Sequence, residues 1–127
     1  VRVPRVRVGR YRACHNAARD AFAYIVGGSE VLGFRVGNVA YCTDTNLIPE
    51  QTQPLLEGLD VLILDCLRPA HHPTHFSIHE AVKEAKRIGA RRTLFVHMSH
   101  EIDHATVASS LPAGMEFAYD GLVVPLT

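Results

Sequence analysis

The feature that most constrains the fold is a strand–helix–strand pattern between positions 61 and 96. Val61–Leu64 and Thr93–Val96 are continuous apolar runs, typical of strands that are covered on both faces. Between them, Ser77-Ile-His-Glu80 matches a capping box, which predicts a helix from Ser77 through about Ile88 that ends at Gly89. A strand, a helix and a second strand in this order form a βαβ unit, so we expect the two strands to be parallel.

The segments on either side of this unit are predicted to be rich in strands. The runs 31–36 and 39–43 are separated by Gly37-Asn38, which is a strong signal for a two-residue hairpin turn. Residues 49–56 look helical, with Pro49 in the first turn, and a shorter helix is expected over residues 105–111. Residues 116–119 and 122–125 are expected to close the chain as a hairpin around Asp120-Gly121.

The first 30 residues carry weaker signals. Val3, Val6 and Val8 partly alternate with arginine, which favours a strand, and residues 13–24 fit a short amphipathic helix. This start is rich in arginine but lacks the apolar centre of a secretory signal. Because the chain begins with Val1, we interpret it as one partial domain over residues 1–127, truncated rather than targeted.

Composition places the chain among ordinary globular proteins. Of its 127 residues, 47% are apolar and 20% are charged, and 13 basic residues balance 13 acidic ones. This balance gives no global field that would attract nucleic acid or an anionic membrane, so neither is an expected partner. Three cysteines (Cys14, Cys42 and Cys66) without a CxxC pair indicate neither a disulfide framework nor a cysteine zinc site. We expect Cys42 and Cys66 in the core, and a cytoplasmic setting by default.

Three predicted strands end in residues that are able to bind a metal: Asp44, Asp65 and His97. Functional sites in open α/β sheets gather beyond the carboxyl ends of the strands. We therefore expect a site at the edge of the sheet where these three strands end. The alternative is that Asp44 and Asp65 only begin turns, as aspartate often does.

Histidines are concentrated in the same region, with seven of the eight between positions 71 and 104. The loop from Cys66 to His75 presents Arg68, His72 and His75, which fit the binding of an anionic substrate or proton donation to a leaving oxygen. The alternative is a polar surface loop whose histidines perform no chemistry. His79, on the predicted helix, is interpreted as a solvated residue.

A further alternative is a single-metal binding module. His100 and His104 are four residues apart, so on a helix they would share a face and bind a metal together with His97.

Four segments in order carry a resemblance to a known family: Gly33–Asp44, Gly58–Asp65, His72–Ser77 and His97–His100, with the closing Tyr119–Leu122 also fitting. Together they resemble the metallo-β-lactamase superfamily, and more narrowly its branch with the cyclic phosphodiesterase of phosphonate catabolism. The match spans residues 31–127, whereas residues 1–30 match poorly. The resemblance implies an α/β fold, namely the C-terminal half of an αββα sandwich with a mixed sheet and covering helices.

The resemblance also implies a role for individual residues. Asp44 is similar to the carboxylate that bridges two metal ions, and His97 is similar to the last histidine ligand of one metal. His72 and His75 resemble loop histidines that contact the substrate phosphate, one of them protonating the leaving group. Beside these, we expect Arg68 and His100 to contact the substrate. In the complete family enzyme, two divalent metals, zinc or manganese, activate a hydroxide that attacks phosphorus.

One departure from the family limits this expectation. The His-x-His-x-Asp-His motif, which supplies most ligands of the first metal, does not occur in this sequence. We therefore expect an incomplete di-metal site, a small-molecule phosphodiester-type substrate for the complete enzyme, and doubtful activity of these residues alone. The competing interpretation is a non-catalytic α/β fragment. In both cases a half-domain exposes a face through which it can form homo-oligomers.

Overall fold

The computed structural model describes residues 7–12, 18–26 and 29–126, with side chains from Val31 to Leu126. Within these residues the chain forms one mixed sheet in which every strand pairs with its neighbours in sequence. The first four strands are antiparallel, and the fourth to seventh are parallel. They are β1 (Arg7–Arg12), β2 (Ala18–Val26), β3 (Ser29–Val36), β4 (Val39–Cys42), β5 (Val61–Asp65), β6 (Arg92–Val96) and β7 (Met115–Phe117).

Helices connect the parallel strands. Helix α1 spans Ile78–Ile88 between β5 and β6, and the short α2 spans His104–Val107 between β6 and β7. Two 3₁₀ helices cover Glu50–Leu55 and Ala108–Ser110. The predicted βαβ unit is thus confirmed, with β5 and β6 parallel. Among the described residues, no helix is both long and apolar enough to cross a membrane.

Local signals in the sequence explain where these elements begin and end. The Ser77 hydroxyl accepts from the Glu80 amide at 3.3 Å, and the Glu80 carboxylate accepts from the Ser77 amide at 3.1 Å, which confirms the capping box. Gly89 ends α1 with a φ of 73°, a left-handed conformation that glycine adopts without strain. Gly37-Asn38 forms the predicted turn, since Val36 pairs with Val39 across it.

The core lies on the sheet face that α1 covers. Ala81, Ala85 and Ile88 of the helix are buried against alternate residues of the strands, because successive side chains of a strand point to opposite faces. Both Cys42 and Cys66 belong to this core, as predicted. The strand residues that it contains are Ala40, Cys42, Leu62, Leu64, Phe95 and Phe117.

The opposite sheet face presents exposed apolar side chains. Leu32, Phe34 and Val36 alternate along β3, and Phe34 lies directly opposite Tyr41 of β4. Each of these four side chains is between 42% and 47% exposed. We refer to these four residues as the apolar sheet face; a contiguous patch of this kind is typical of an interface.

The predicted helix over residues 13–24 is wrong for the part that the structure describes. Residues 18–24 belong to β2, which pairs with β1 on one side and with β3 on the other. These two sets of cross-strand bonds override a local amphipathic pattern. Val8 lies in a strand as predicted, whereas Val3, Val6 and residues 13–17 lie outside the described residues.

The remaining predictions for secondary structure need smaller corrections. The helix expected over residues 49–56 is the 3₁₀ helix Glu50–Leu55 rather than an α-helix, and Pro54 within it has no N–H for an α-helical hydrogen bond. The helix expected over residues 105–111 is α2 followed by a 3₁₀ turn. The closing hairpin is wrong, because β7 pairs in parallel with β6 and residues 118–126 contain only a turn, where the Leu122 amide donates to Tyr119.

Candidate metal centre

Three neighbouring strands deliver polar side chains to one edge of the sheet. Strands β4, β5 and β6 are parallel and adjacent, so their carboxyl ends lie at the same edge. Asp65 is the last residue of β5, His97 directly follows β6, and Asp44 comes two residues after β4. The prediction that these strand ends share one edge is therefore confirmed.

The backbone at two of these positions is unusual. Asp44 has a φ of 56° and His97 a φ of 67°, and they are the two non-glycine residues with positive φ in the described part of the chain. Aspartate and histidine tolerate this left-handed region better than most residues, at a cost of roughly 1–3 kcal/mol each. Strain of this size is typical of positions where the backbone is held to aim a functional side chain.

The two strained residues face each other and are joined by a third. The Nε2 atom of His97 lies 3.5 Å from the Oδ1 atom of Asp44. One ring nitrogen of His75 completes a group whose donor atoms all lie within 4.8 Å of one another. The rings of His75 and His97 stack with their centroids 4.7 Å apart.

This group of donors fits a divalent metal ion. Two imidazole nitrogens and one carboxylate oxygen suit zinc and manganese among other metals. A metal held by Asp44 and His97 would keep positions open for water or substrate, as catalytic rather than structural zinc sites do. The side chains of Asp44 and His97 are 60% and 47% exposed, so a water molecule can reach the open position. Sequence reasoning proposed Asp44 and His97 as ligands; the structure brings them together and places a ring nitrogen of His75 within 4.8 Å of both donor atoms.

His75 is held by a buried carboxylate. Its Nδ1 lies 2.9 Å from the Oδ2 atom of Asp65, and the Phe76 amide donates to the same oxygen at 3.2 Å. Burial raises the pKa of Asp65, while its contacts with His75 and with the Phe76 amide act in the opposite direction. The side chain of Asp65 is fully buried and that of His75 is 17% exposed, so this pair is shielded from water.

The loop that carries His75 is tied to the segments on either side of it. The Asn46 amide donates to the Pro73 carbonyl at 2.8 Å, and the Phe76 amide donates to the Thr45 carbonyl at 3.0 Å. On the other side, the Ser99 amide donates to the Leu67 carbonyl at 2.7 Å. These bonds hold the histidine loop against the segments that contain Asp44 and His97.

His72 stands beside His75 in a defined hydrogen-bonding state. Its Nδ1 accepts from the Thr74 amide at 3.2 Å, so the neutral ring carries its hydrogen on Nε2. Partial desolvation, followed by the positive charge of Arg68, lowers the pKa of His72. The neutral ring is therefore favoured near neutral pH, with Nε2–H as its free donor. The centroids of the His72 and His75 rings are 5.1 Å apart.

The structure also shows where Arg68, His100 and His79 lie. The Arg68 guanidinium donates to the carbonyls of Ala70 and His71 at 3.3 and 2.8 Å, so it also shapes its own loop. His100 is exposed in the turn before α2, and His79 is exposed on α1 as predicted.

The single-metal module of His97, His100 and His104 does not form among the described residues. His104 begins α2, whereas His100 precedes that helix, so the two do not share a helix face. The ring of His104 instead packs against Phe117 and Tyr119, with centroid distances of 5.6 and 6.4 Å.

Sequence reasoning did not assign Asp65 to the site, although it noted this residue at a strand end. The available signal was an aspartate that directly follows an apolar run, since a carboxylate buried there needs a partner. The identity of that partner, His75, depends on the path of the loop between them.

The fold and the donor group together define the class of the protein. A mixed sheet with a helix on one face, and imidazole and carboxylate donors beyond the ends of its parallel strands, is the arrangement of a metallo-β-lactamase fold. The chain belongs to the beta-lactamase superfamily: the family described as "Beta-lactamase superfamily domain" matches residues 2–98. The matched part therefore includes residues of the first 30, where the motifs quoted above gave no match.

Solved structures indicate which branch of the superfamily the chain resembles. A diphosphatase from the PhnP family superposes with a TM-score of 0.85 and 38% identity over 90% of this chain, which corresponds to 44% of the diphosphatase. The chain thus resembles the PhnP-like branch and is partial with respect to it. The zinc-bound PqqB of Methylobacterium extorquens shares the fold at a TM-score of 0.56 and 20% identity, over 85% of this chain and 47% of PqqB.

A curated relative matches over a shorter part of its own length. An octanoyltransferase of Porphyromonas gingivalis is 30% identical over 98 residues, which is 76% of this chain and 20% of that protein. The name octanoyltransferase therefore refers to a whole protein, and this chain matches only one fifth of its length.

Proposed function

We propose that this chain contributes one half of the active site of a metal-dependent hydrolase that cleaves phosphodiesters. The observation that carries the proposal is the group of Asp44, His75 and His97, in which two residues adopt left-handed backbone conformations to meet. The similarity to a diphosphatase, at 38% identity over 90% of this chain, supports phosphorus chemistry.

Asp44 and His97 are the residues that would hold the metal, with zinc and manganese as the preferred ions. A divalent metal in such a site supplies Lewis-acid stabilisation of charge and lowers the pKa of a bound water. The carboxylate and the imidazole are exposed on the side that faces solvent, which leaves room for a substrate.

The histidine loop would bind and protonate the substrate. His72 presents Nε2–H, a donor suited to an anionic phosphate oxygen. His75 can carry a proton on Nε2 to the leaving oxygen when its ring is protonated, because its Nδ1 is already bound to Asp65. Arg68 and His100 are proposed as further contacts with the substrate. A reducing, cytoplasmic setting suits the free, buried thiols of Cys42 and Cys66.

The second candidate function is a metal-binding module without catalysis. The observation in its favour is that the donor group of this chain is sufficient for one ion, while the His-x-His-x-Asp-His motif is absent from the sequence. Both candidates bind metal through Asp44 and His97, so metal binding alone does not separate them.

Turnover separates the two candidates. The test is hydrolysis of bis(p-nitrophenyl) phosphate with added zinc or manganese, by this chain and by the polypeptide its gene encodes. We expect turnover where the missing motif is present upstream, and its loss in Asp44→Ala and His97→Ala but not in the matched control His79→Ala. Turnover that survives Asp44→Ala and His97→Ala, or its absence from a metal-loaded protein that contains the motif, would refute the hydrolase proposal.

A further inference from the structure

We propose that Asp65 is a positioning residue for His75, which holds Nδ1–H of the imidazole so that Nε2 is the nitrogen presented beside Asp44 and His97. The catalytic consequence rests on the proposed function, whereas the assignment of the ring nitrogens stands without it. Asp65 contacts neither the proposed substrate nor the proposed metal, and this role accounts for its buried carboxylate.

Two hydrogen bonds converge on one oxygen of Asp65. The Oδ2 atom of Asp65 receives the Phe76 amide at 3.2 Å, and an amide N–H can only donate, so Oδ2 is an acceptor. The Nδ1 atom of His75 lies 2.9 Å from this same oxygen. When Asp65 is ionised, Oδ2 accepts both bonds, so the imidazole donates from Nδ1, and its lone pair, or its second proton when the ring is charged, lies on Nε2.

The surroundings leave the ring little freedom to turn. Asp65 is the last residue of β5, which has a strand on each side, and its side chain is fully buried. The ring of His75 contacts the rings of both His72 and His97, at centroid distances of 5.1 and 4.7 Å. A carboxylate fixed to the sheet thus orients an imidazole that is carried by a loop, the arrangement that orients histidines in metal and triad sites.

A purely structural role for Asp65 explains the contacts less well. The other oxygen, Oδ1, is buried and has no hydrogen-bond partner among the described residues. A buried carboxylate with one unsatisfied oxygen costs free energy that an apolar residue at the end of β5 would not. The charge has a use where an imidazolium must be stabilised and oriented, which is the role of the aspartate beside a catalytic histidine.

The nitrogen assignment is tested by long-range ¹H–¹⁵N correlation spectra of the imidazoles at pH 8.5, with His75→Gln to identify the signals of His75. We expect Nδ1 of His75 to carry the hydrogen in the wild-type chain. Asp65→Ala removes the acceptor, and the ring should then change to the Nε2–H form that free neutral histidine prefers. The matched control Asp60→Ala removes a carboxylate just before the opposite end of the same strand and should leave the spectrum unchanged.

The wild-type spectrum decides the proposal even if Asp65→Ala fails to fold. An Nε2–H form of His75 in the wild-type chain overturns it, as does a folded Asp65→Ala with an unchanged Nδ1–H form. In a preparation that hydrolyses a phosphodiester, Asp65→Ala should lower kcat by about 10²-fold or more with little change in KM, the size expected for an impaired proton donor. Absence of turnover in every preparation would overturn the proposed function and leave the nitrogen assignment standing.

Discussion

The left-handed backbone at Asp44 leads to a prediction about stability that does not depend on any ligand. Asp44 has a φ of 56°, and its side chain is 60% exposed, so replacing it removes little packing. Asp44→Gly and Asp44→Ala both delete the carboxylate, but only glycine adopts this conformation without strain. The difference between the two variants therefore isolates the cost of the backbone.

The difference in the free energy of unfolding between Asp44→Gly and Asp44→Ala follows from two opposing contributions. A left-handed conformation costs an L-residue roughly 1–2 kcal/mol. Glycine loses about 0.5–1 kcal/mol more conformational entropy on folding than alanine does. Asp44→Gly should therefore have a free energy of unfolding about 1 kcal/mol higher than Asp44→Ala, which corresponds to a Tm about 4 °C higher for a domain of this size.

The assay is thermal unfolding of both variants followed by circular dichroism. The matched control is the pair Asp60→Gly and Asp60→Ala, at a partly buried carboxylate whose φ is not positive. Here glycine should be the less stable variant, by about 0.5–1 kcal/mol. An Asp44→Ala variant as stable as Asp44→Gly, or more so, would refute the argument that the backbone is strained at the metal site.

Three further predictions test other parts of the structure. Ser77→Ala should lower the free energy of unfolding by about 1 kcal/mol in urea denaturation, because it removes one half of the capping box of α1; an unchanged midpoint would contradict the cap. The thiols of Cys42 and Cys66 should not react with Ellman's reagent at pH 8 until urea is added. The reactive form is the thiolate, and burial raises the pKa of each thiol to about 12. Rapid reaction of two or more thiols in the native chain would contradict this prediction. The chain should self-associate through the apolar sheet face in sedimentation velocity, and Phe34→Lys should reduce the associated fraction; a monodisperse wild-type monomer would contradict it.

The parts of the fold that the sequence predicted are those with local causes. A capping box, a glycine at a helix end and a two-residue turn each act within a few residues, so α1 and the turn at Gly37-Asn38 were predictable. The parallel pairing of β5 and β6 also followed, since a strand–helix–strand connection permits little else.

The errors have non-local causes. Nothing within residues 18–24 indicates that they lie between two other strands, and this pairing is what makes them β2 rather than a helix. At the other end, β7 joins the sheet in parallel beside β6 instead of folding back on the residues after Asp120. Short segments take the conformation that their long-range partners impose.

In the candidate metal centre, too, some features could be predicted from the sequence and others depended on long-range contacts. The position of Asp44 and His97 at strand ends was sufficient to predict that they meet, because parallel strands end at one edge. The contact between Asp65 and His75 joins residues ten positions apart through a loop whose path depends on Asn46, Thr45 and Ser99. Neither composition nor spacing specifies those anchoring bonds, so this contact required the structure.

The central claim is that Asp44 and His97 bind a metal ion, and a zinc titration of this chain followed by calorimetry tests it most directly. We predict one binding site per chain, a large loss of affinity in Asp44→Ala and in His97→Ala, and no change in His79→Ala, which removes an exposed histidine outside the donor group. Zinc binding that is unchanged in both Asp44→Ala and His97→Ala would contradict the account.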